Sequence, residues 1–331
     1  MAMLSRRSIL FGSLSFTFIS TFLAPLAAQA QTWPSGPIRI IVPFPPGGSV
    51  DAVARLAQAG LMQRLGTSIV IENRTGASGS TGSAVVAKSP PDGNTWLIVF
   101  DTHAVNPSLL PNFPFDNDKD LEPVTLVATA PYVVARHPAR PFADLGEVIR
   151  AAKEKPRSVS YASVGSGSIG HLAIELLSRE AGIELVHVPY RGGAPALNDT
   201  IAGHVDLIIA SAAQLMPQIA PGAIKPVVQM GKTRLPALPD VPTIVESGYP
   251  GAQANAWWAV FAPAGTPKPI IVRFRAALIE SLREERVARQ LSETQQMTLV
   301  LSEPEELRKF AGEQARIWGA VVRANNIRPD E

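Results

Sequence analysis

The sequence predicts an α/β protein in two units, because short apolar runs alternate with amphipathic helical patterns and this alternation occurs twice. Between the two sets lies a stretch rich in proline, asparagine and aspartate, residues 109–122, and the composition changes again near Ala128. Alternating strands and helices favour parallel sheets, whose ligand crevice lies at the carboxyl ends of the strands. We therefore expect loops at those ends to carry the function.

The first unit has the order strand, helix, strand, helix, strand. Apolar runs predict its three strands at 38–42, 68–72 and 95–100. Apolar residues at helical spacing predict a helix over 50–65 that ends at Gly66, and a glycine- and serine-rich loop, 76–82, leads into a shorter helix that ends near Lys88. The segment 101–107 is predicted to be a loop at the same edge of the sheet as the loops before it.

The second unit repeats the alternation. Its predicted elements are strand segments 124–128 and 132–134 separated by Pro131, helix 143–155, strand 158–162, helix 169–181, strand 184–188, helix 194–202, and strands 207–210 and 224–230. The tail adds a strand at 257–262 and helices at 269–282 and 303–323. No predicted strand follows either tail helix, so both are expected to pack on existing sheets. Trp257 and Trp258 are expected to pack between the units.

Residues 1–30 have the pattern of an export signal. Arg6 and Arg7 precede an apolar stretch over 9–26, and Ala28-Gln29-Ala30 has the small-x-small pattern of a cleavage site. The pattern predicts an exported protein that is cleaved after Ala30. The paired arginines resemble a twin-arginine signal, although an ordinary signal peptide also carries such residues, so both export routes remain open.

Composition excludes several classes of protein. The chain is 46% hydrophobic and 18% charged, which is typical of a globular protein with a sizeable core. Two of its 30 basic residues lie in the predicted leader, which leaves 28 basic against 28 acidic side chains. A neutral mature chain without a basic cluster does not indicate a nucleic-acid partner. The absence of cysteine excludes disulfides and thiolate catalysis, and an exported cysteine-free protein is typical of the bacterial periplasm.

Two loops of small residues precede predicted helices. The first lies within 43–55, where Ser49 is predicted to cap the helix and Asp51 to order the turn. The second is 163–168, where Ser168 is the predicted cap. Because a helix start leaves N–H groups unpaired, each loop is predicted to form a seat for a carboxylate or phosphate. Two such seats that face each other would hold both ends of a small anion.

Ordered motifs along the chain after Trp33 match a known family. They are PFPPGGSVD at 43–51, ENR at 72–74, PDG at 91–93, YAS at 161–163, HVPYRG at 187–192, LPDVPT at 238–243 and APAGTP at 262–267. In these motifs the chain resembles the Bug-type periplasmic solute receptors of tripartite tricarboxylate transporters. Thr75 and Asn94 depart from the pattern, at positions where no ligand contact is expected.

The resemblance implies a two-lobed fold of the type II periplasmic binding proteins, with the ligand cleft between the lobes. Lobe 1 would comprise residues 31–128 and 260–331, and lobe 2 residues 129–259. The implied ligand is a small mono-, di- or tricarboxylate or an aromatic acid, and the implied partners are the membrane components of a transporter. We expect a monomer in the periplasm that uses no cofactor or metal, catalyses no reaction and closes by hinge motion.

The resemblance also implies ligand contacts from both lobes. They are Phe44, Pro45, Pro46, Gly47, Gly48, Ser49, Thr102, Asn106, Ser163, Gly165, Ser166, Gly167, Ser168, His171, Arg191, Gly192 and Asp206, with Asp51 supporting the first loop. Arg191 is equally suited to a ligand carboxylate and to an acidic neighbour, because its planar guanidinium pairs with either.

One motif favours a different class of protein. Residues 165–170 satisfy G-x-G-x-x-G between a predicted strand and helix, as in dinucleotide-dependent oxidoreductases. An exported oxidoreductase is therefore the alternative, but Glu184 begins the next predicted strand, whereas the ribose-binding acid belongs at its end. No G-x-S-x-G motif indicates a hydrolase, and the five histidines lack the spacing of metal ligands.

Overall fold

Within residues 33–328, which the computed structural model describes, ten strands form one continuous sheet. The strands are β1 Ile38–Val42, β2 Ile69–Asn73, β3 Thr95–Phe100, β4 Leu121–Arg136, β5 Ser160–Ser163, β6 Val186–Pro189, β7 Leu207–Ser211, β8 Lys225–Gln229, β9 Asn255–Pro263 and β10 Thr298–Leu299. Their order is β2-β1-β3-β9-β4-β7-β5-β6, and β8 and β10 also pair with β4. The predicted leader, 1–30, lies outside the described residues.

Ten α-helices accompany the strands over the same residues. They are α1 Ser49–Leu65, α2 Ser80–Ala87, α3 Thr102–Leu109, α4 Leu145–Glu154, α5 Ile169–Ala181, α6 Gly193–Ile201, α7 Ala212–Ile219, α8 Lys268–Leu282, α9 Glu285–Arg289 and α10 Pro304–Ala324. No helix in the described part of the chain has both the length and the apolar character needed to cross a bilayer.

Two sets of parallel strands bring their loops to sheet edges. β1 runs parallel to β2 and β3, and β5 runs parallel to β6 and β7. Every residue of β3 and β7 is buried, as expected for strands covered on both faces. The loops that follow β1, β2, β5 and β6 lead into helices, so each set carries its helix starts at the carboxyl ends of its strands. The predicted α/β alternation is confirmed.

The long strand β4 belongs to both sets. Residues up to Pro131 pair with β9, and residues from Tyr132 onward pair with β7 and β8. The expectation of two strand segments broken by Pro131 is therefore wrong, because one strand runs through this proline. Proline lacks the N–H that a ladder uses, and here it stands where β4 changes partners.

Helix α3 replaces a predicted loop. Pro107 lies inside it and cannot donate to the carbonyl of His103, one turn earlier. That carbonyl instead accepts a hydrogen bond of 2.8 Å from Nδ2 of Asn117. Helix α7, which contains Pro217, was not predicted either. The sequence also gave no signal for the two-residue strand β10, which follows α8 and corrects the expectation that the tail helices precede no strand.

Helix ends agree with the sequence at several positions. Ser168 caps α5 by accepting from the N–H of His171 at 3.2 Å, as predicted. Gly66 ends α1 in the left-handed conformation, as predicted. The predicted cap of α1 is wrong, because Gly48 occupies the N-cap position and Ser49 Oγ accepts from Nε1 of Trp258 at 3.3 Å. Trp257 and Trp258 are both fully buried core residues of β9.

The core of the first strand set depends on stacked aromatic rings. Trp96 of β3 and Phe274 of α8 lie parallel with ring centroids 3.7 Å apart, and both are buried. Burial of large aromatic side chains contributes several kcal/mol, part of it through close packing. This stack fixes α8 on the face of the sheet.

We expect Phe274→Ala to lower the free energy of unfolding by about 3–5 kcal/mol, because it leaves a cavity beside Trp96. Val272 lies on the same helix and is 67% exposed, so Val272→Ala should change stability by less than about 0.5 kcal/mol. Urea unfolding followed by tryptophan fluorescence measures both. Equal effects of the two substitutions would show that the stack does not anchor α8.

Candidate ligand-binding site

A cavity of about 370 Å3 lies at the carboxyl ends of the parallel strands. The loops that follow β1, β2, β5 and β6 contribute most of its lining. The lining residues are Pro43, Phe44, Gly76, Ala77, Ser78, Gly79, Leu110, Val164, Gly165, Ser166, Pro189, Tyr190 and Arg191. We call this cavity the loop pocket. Its volume is in the range of small-molecule sites.

The walls of the loop pocket carry one positive charge. Arg191 is exposed, and its guanidinium has no ion-pair or hydrogen-bond partner among residues 33–328. No lining residue is acidic. The hydroxyl of Tyr190 donates to Asp199 at 2.7 Å, and burial together with this bond raises the pKa of Tyr190 to about 12, so the phenol stays neutral. These charges favour an anionic ligand over a cationic one.

Three helix starts meet beside the loop pocket. Gly48, Ser49 and Val50 of the α1 start, Gly193 of α6, and Ser211 and Gln214 of the α7 start surround a cavity of about 20 Å3, roughly the size of one water molecule. Within the part of the chain that the structure describes, no side chain caps any of these three helices. The buried Oγ of Ser211 has no partner among the described residues. Uncapped N–H groups and the positive ends of helix dipoles attract an anion.

The start of α5 differs, because its loop satisfies its own N–H groups. The N–H of Gly165 donates to Ser163 Oγ at 3.2 Å, and the N–H of Gly167 donates to His171 Nδ1 at 3.1 Å. The N–H of Ser168 donates to the carbonyl of Gly165 at 3.1 Å. The structure therefore does not support the predicted second anion seat at 163–168. The same bonds leave these N–H groups unavailable to a dinucleotide pyrophosphate.

A buried carboxyl group lies at the same helix start. Asp101, which follows β3, accepts from the hydroxyl of Tyr132 at 2.6 Å and is fully buried. Burial raises the pKa of Asp101 to about 8, although the Tyr132 hydroxyl and the N–H groups of Ile169 and Thr102 act in the opposite direction. The acid is thus mainly protonated at neutral pH. It joins the end of β3 to the second half of β4 and to α5.

Six of the predicted site residues line one of the two cavities, and three more form the contact between their loops. Phe44, Gly165, Ser166 and Arg191 line the loop pocket, and Phe44, Gly48 and Ser49 line the small cavity. Gly192 lies against the β1–α1 loop, since a Cβ added there would come within 2.7 Å of Pro45 Cδ. A Cβ on Gly47 would lie 3.8 Å from Ala194 Cβ. Pro46 follows Pro45 in the same exposed turn.

Other predicted residues support the lining without being part of it. Thr102 Oγ1 and Asn106 Nδ2 donate to the carbonyl of Ser78 at 2.8 and 3.1 Å. Ser78 Oγ in turn donates to the carbonyl of Ser166 at 2.9 Å, which joins the loops of the two strand sets. Gly167 is packed so closely that an added Cβ would lie 2.1 Å from Leu109 Cδ2. These contacts hold the two sides of the loop pocket together.

Asp51 orders the first loop, as predicted. Its carboxylate accepts from the N–H of Gly47 at 3.0 Å, from Asn73 Nδ2 at 3.0 Å and from Arg55 Nε at 2.8 Å. Burial disfavours the charge, but the bonds from Arg55, Asn73 and Gly47 outweigh it and lower the pKa of Asp51. Asp51 therefore stays ionised and holds the loop that contains Phe44.

Ser163 and His187 form a serine–histidine pair outside the cavity lining. Ser163 Oγ lies 2.8 Å from His187 Nε2, and burial lowers the pKa of His187 to about 4. Ser163 is fully buried and also contacts the backbone of Gly165. His187 stacks on His171 with ring centroids 4.0 Å apart. The pair thus fixes the conformation of the 163–168 loop.

Asp206 lies at the other end of the strands. It directly precedes β7 and accepts from the N–H of Ser160, the first residue of β5, at 2.7 Å. It also pairs with Arg140 at 2.7 Å. Because the loop pocket lies at the carboxyl ends of β5 and β6, Asp206 is separated from it by the length of the strands. The described residues contain no cluster of three or more histidines and acidic residues that could hold a metal.

Sequence reasoning missed several residues that the structure brings to the two cavities. Ser78, Tyr190, Ser211 and Gln214 were not singled out. Tyr190 directly follows β6 and Ser211 is the last residue of β7, so their positions at strand ends were the available signal. Ser78 and Gln214 lie inside helical segments, and no local pattern distinguishes them.

The fold is that of a periplasmic binding protein. The family model for the tripartite tricarboxylate transporter family receptor matches residues 53–327. The chain belongs to this family, whose receptors are periplasmic. Protein BugT of Bordetella pertussis is 35% identical to it over 308 residues, which are 92% of this chain and 94% of BugT.

Solved structures share the fold. The R. palustris protein Rpa4515 with adipate is 32% identical, with a TM-score of 0.85 over 90% of this chain and 100% of that one. MatC from Rhodopseudomonas palustris with bound malate is also 32% identical, with a TM-score of 0.80 over 88% of this chain and 100% of MatC.

The buried Asp101 makes stability depend on pH. Its folded pKa of about 8 lies above the ordinary value of 3.8, so the folded protein retains a proton that the unfolded chain releases between these values. The free energy of unfolding therefore falls as pH rises from about 4 to about 8, by at most about 1.4 kcal/mol per pH unit from this group.

We expect the free energy of unfolding of Asp101→Asn, measured by urea denaturation, to fall less steeply than that of the wild type over this pH range. The exposed Asp92→Asn is the control, and parallel curves for wild type and Asp101→Asn would contradict the assignment.

Proposed function

We propose that this receptor binds a small organic carboxylate in the loop pocket and delivers it to the membrane components of a tripartite tricarboxylate transporter. The observation that carries the proposal is Arg191, which is unpaired within residues 33–328 and lies in a pocket without acidic lining residues. The uncapped starts of α1, α6 and α7 add positive potential beside it. Relatives with adipate and with malate are consistent with this ligand class.

The proposed binding mode divides the ligand into a charged end and a carbon chain. Arg191 pairs with one carboxylate, and Gly192, the N-cap of α6, places that helix start next to it. Phe44, Leu110 and Val164 contact the carbon chain. Ser78 and Ser166, one from each side of the pocket, supply polar groups. Selectivity then follows from pocket volume and the placement of these few polar atoms.

The two sides of the pocket belong to the two proposed lobes, residues 31–128 with 260–331 and residues 129–259. The Ser78–Ser166 bond and the Pro45–Gly192 contact both join one side to the other. Ligand release requires these contacts to separate, and hinge motion along β4 and β9 is the proposed route. The mature receptor is proposed to be a monomer in the periplasm, cleaved after Ala30 and acting without a cofactor or catalysis.

Calorimetry of the ligand-stripped protein tests the proposal with malate, adipate and benzoate, each compared with its uncharged amide. We expect saturable binding of at least one acid and much weaker binding of its amide, because only the acid carries the charge that Arg191 recognises. Binding of a nicotinamide dinucleotide with no binding of any acid would instead support the oxidoreductase alternative at 165–170.

Arg191→Gln tests the charged contact. We expect a loss of about tenfold to a hundredfold in carboxylate affinity, since hydrogen bonds to charged groups contribute about 1.5–3 kcal/mol. The exposed Arg286 lies outside the loop pocket, so Arg286→Gln is the matched control and should retain full affinity. Unchanged affinity in Arg191→Gln would remove this residue from the site.

Gly192→Ala tests the contact between the two sides. Gly192 has a φ of 125°, and an added Cβ would clash with Pro45 at 2.7 Å. We expect weaker ligand binding, because the clash forces the two loops apart, together with a lower melting temperature, because alanine is strained at this φ. Gly248→Ala is the control for strain alone, since Gly248 has a φ of 91° and no atom within 4 Å of the new Cβ. Wild-type affinity in Gly192→Ala would contradict closure at this point.

A further inference from the structure

A second cavity, of about 400 Å3, lies between α3, the loop that follows it and α10. We call it the α3–α10 cavity. It shares no lining residue with the loop pocket. Its walls include Pro107, Phe113, Phe115, Phe261 and Gly312. A cavity of this size in a mostly apolar wall is comparable with sites for small molecules.

His103 is a polar side chain buried in this wall. It is only 5% exposed, and its ring lies on that of Phe261 with centroids 4.7 Å apart. Neither ring nitrogen has a hydrogen-bond partner within residues 33–328. Burial lowers the pKa of His103 to about 3, so the imidazole is neutral and offers one donor and one acceptor. An imidazole without a partner in the protein can hydrogen-bond to a molecule in the cavity that it lines.

Asn117, another residue of the cavity wall, has a second unused polar atom. Its Nδ2 donates to the carbonyl of His103 at 2.8 Å, which fixes the orientation of the amide. Its Oδ1 is buried and has no partner among the described residues. Because Oδ1 only accepts hydrogen bonds, a molecule that satisfies it must supply an O–H or N–H group.

The remaining walls decide the charge and shape of the occupant. Phe113 and Phe115 lie with ring centroids 4.4 Å apart and form an aromatic face. Arg308, the cation at the cavity, already pairs with Glu122 at 3.0 Å. Asp118 and Asp116 add exposed carboxylates at the same cavity, and Asp116 pairs with Lys119 at 2.9 Å. An anion would therefore meet negative charge and no free cation, in contrast to the loop pocket.

We propose that the α3–α10 cavity binds an uncharged, single-ring aromatic molecule that carries an O–H or N–H donor, held by Asn117 Oδ1, His103 and the phenylalanine rings. This site is separate from the loop pocket and does not depend on the function proposed there. Aromatic rings packed at this spacing favour a flat apolar ligand, and the two polar atoms orient its one polar edge.

Phenol is the probe. Toluene is the matched ring that lacks a hydrogen-bond donor, and benzoate is the matched ring that carries a negative charge. Titration of the 15N-labelled protein with each compound follows the amide of Gly312 at the cavity and that of Gly165 at the loop pocket. We expect phenol to shift Gly312 and not Gly165, and toluene to bind about three- to tenfold more weakly, as loss of a neutral hydrogen bond requires. Benzoate should leave Gly312 unchanged.

Two variants separate the polar contact from the cavity itself. His103→Phe keeps a ring against Phe261 and removes the ring nitrogens, so it should reduce the preference for phenol over toluene while toluene still binds. Gly312→Leu should abolish binding of both, since a Cβ there meets no atom within 4 Å and the side chain can extend into free space. The loss of a helical glycine also favours the folded state, so misfolding is not expected.

Three outcomes would overturn the proposal. They are the absence of a Gly312 shift at millimolar phenol, equal shifts at Gly165 and Gly312, and an unchanged phenol preference in His103→Phe. Retention of phenol binding in a folded Gly312→Leu variant would likewise place the molecule elsewhere.

Discussion

The rest of the structure depends on one constraint, which is that the single strand β4 pairs with strands of both parallel sets. Its residues up to Pro131 pair with β9 and those from Tyr132 pair with β7, so a single strand sets the relation between the two parallel sets. Because each set carries its helix starts at the carboxyl ends of its strands, the path of β4 decides which loops meet. The bond between Asp101 and Tyr132 lies at the point where β4 changes partners and adds a second link there. The loop pocket is the space left between loops that this junction brings together.

Satisfied and unsatisfied N–H groups then distinguish helix starts that look alike in sequence. The loops before α1 and α5 both consist of small residues, but the loop before α5 bonds to Ser163, His171 and its own carbonyl. Three of the helix starts without a side-chain cap among the described residues, those of α1, α6 and α7, surround the small cavity that Ser211 lines. A helix dipole attracts an anion only where space and free donors remain. In the proposed binding mode, the positive charge beside the loop pocket comes from Arg191 and the starts of α1, α6 and α7, while the bonded N–H groups before α5 hold their own loop in place.

Helix α3 separates the two cavities and contributes to both through different faces. Thr102 and Asn106, four residues apart, hold the carbonyl of Ser78 at the loop pocket. His103 and Pro107, also four residues apart, line the α3–α10 cavity. This arrangement follows from helical periodicity, which places residues i and i+4 on the same face. The bond from Asn117 to the carbonyl that Pro107 leaves free anchors the following loop, so the proline that interrupts the helix ladder also positions a wall of the second cavity.

Local patterns in the sequence determined the buried strands, most helices, the cap of α5 by Ser168, the brace formed by Asp51 and membership of a receptor family. These features depend on apolar periodicity or on contacts within a few residues, which a sequence displays directly. The sequence did not predict α3 or α7, because each contains a proline whose lost hydrogen bond is tolerated only in the folded context. It placed Asp206 in the site, although strand pairing puts that residue at the opposite end of β5 and β7. Only the tertiary structure decided which uncapped helix starts meet, that Ser78 bonds to Ser166, and that His103 faces a cavity. Each of these features depends on residues that are far apart in the chain and that the common sheet brings together.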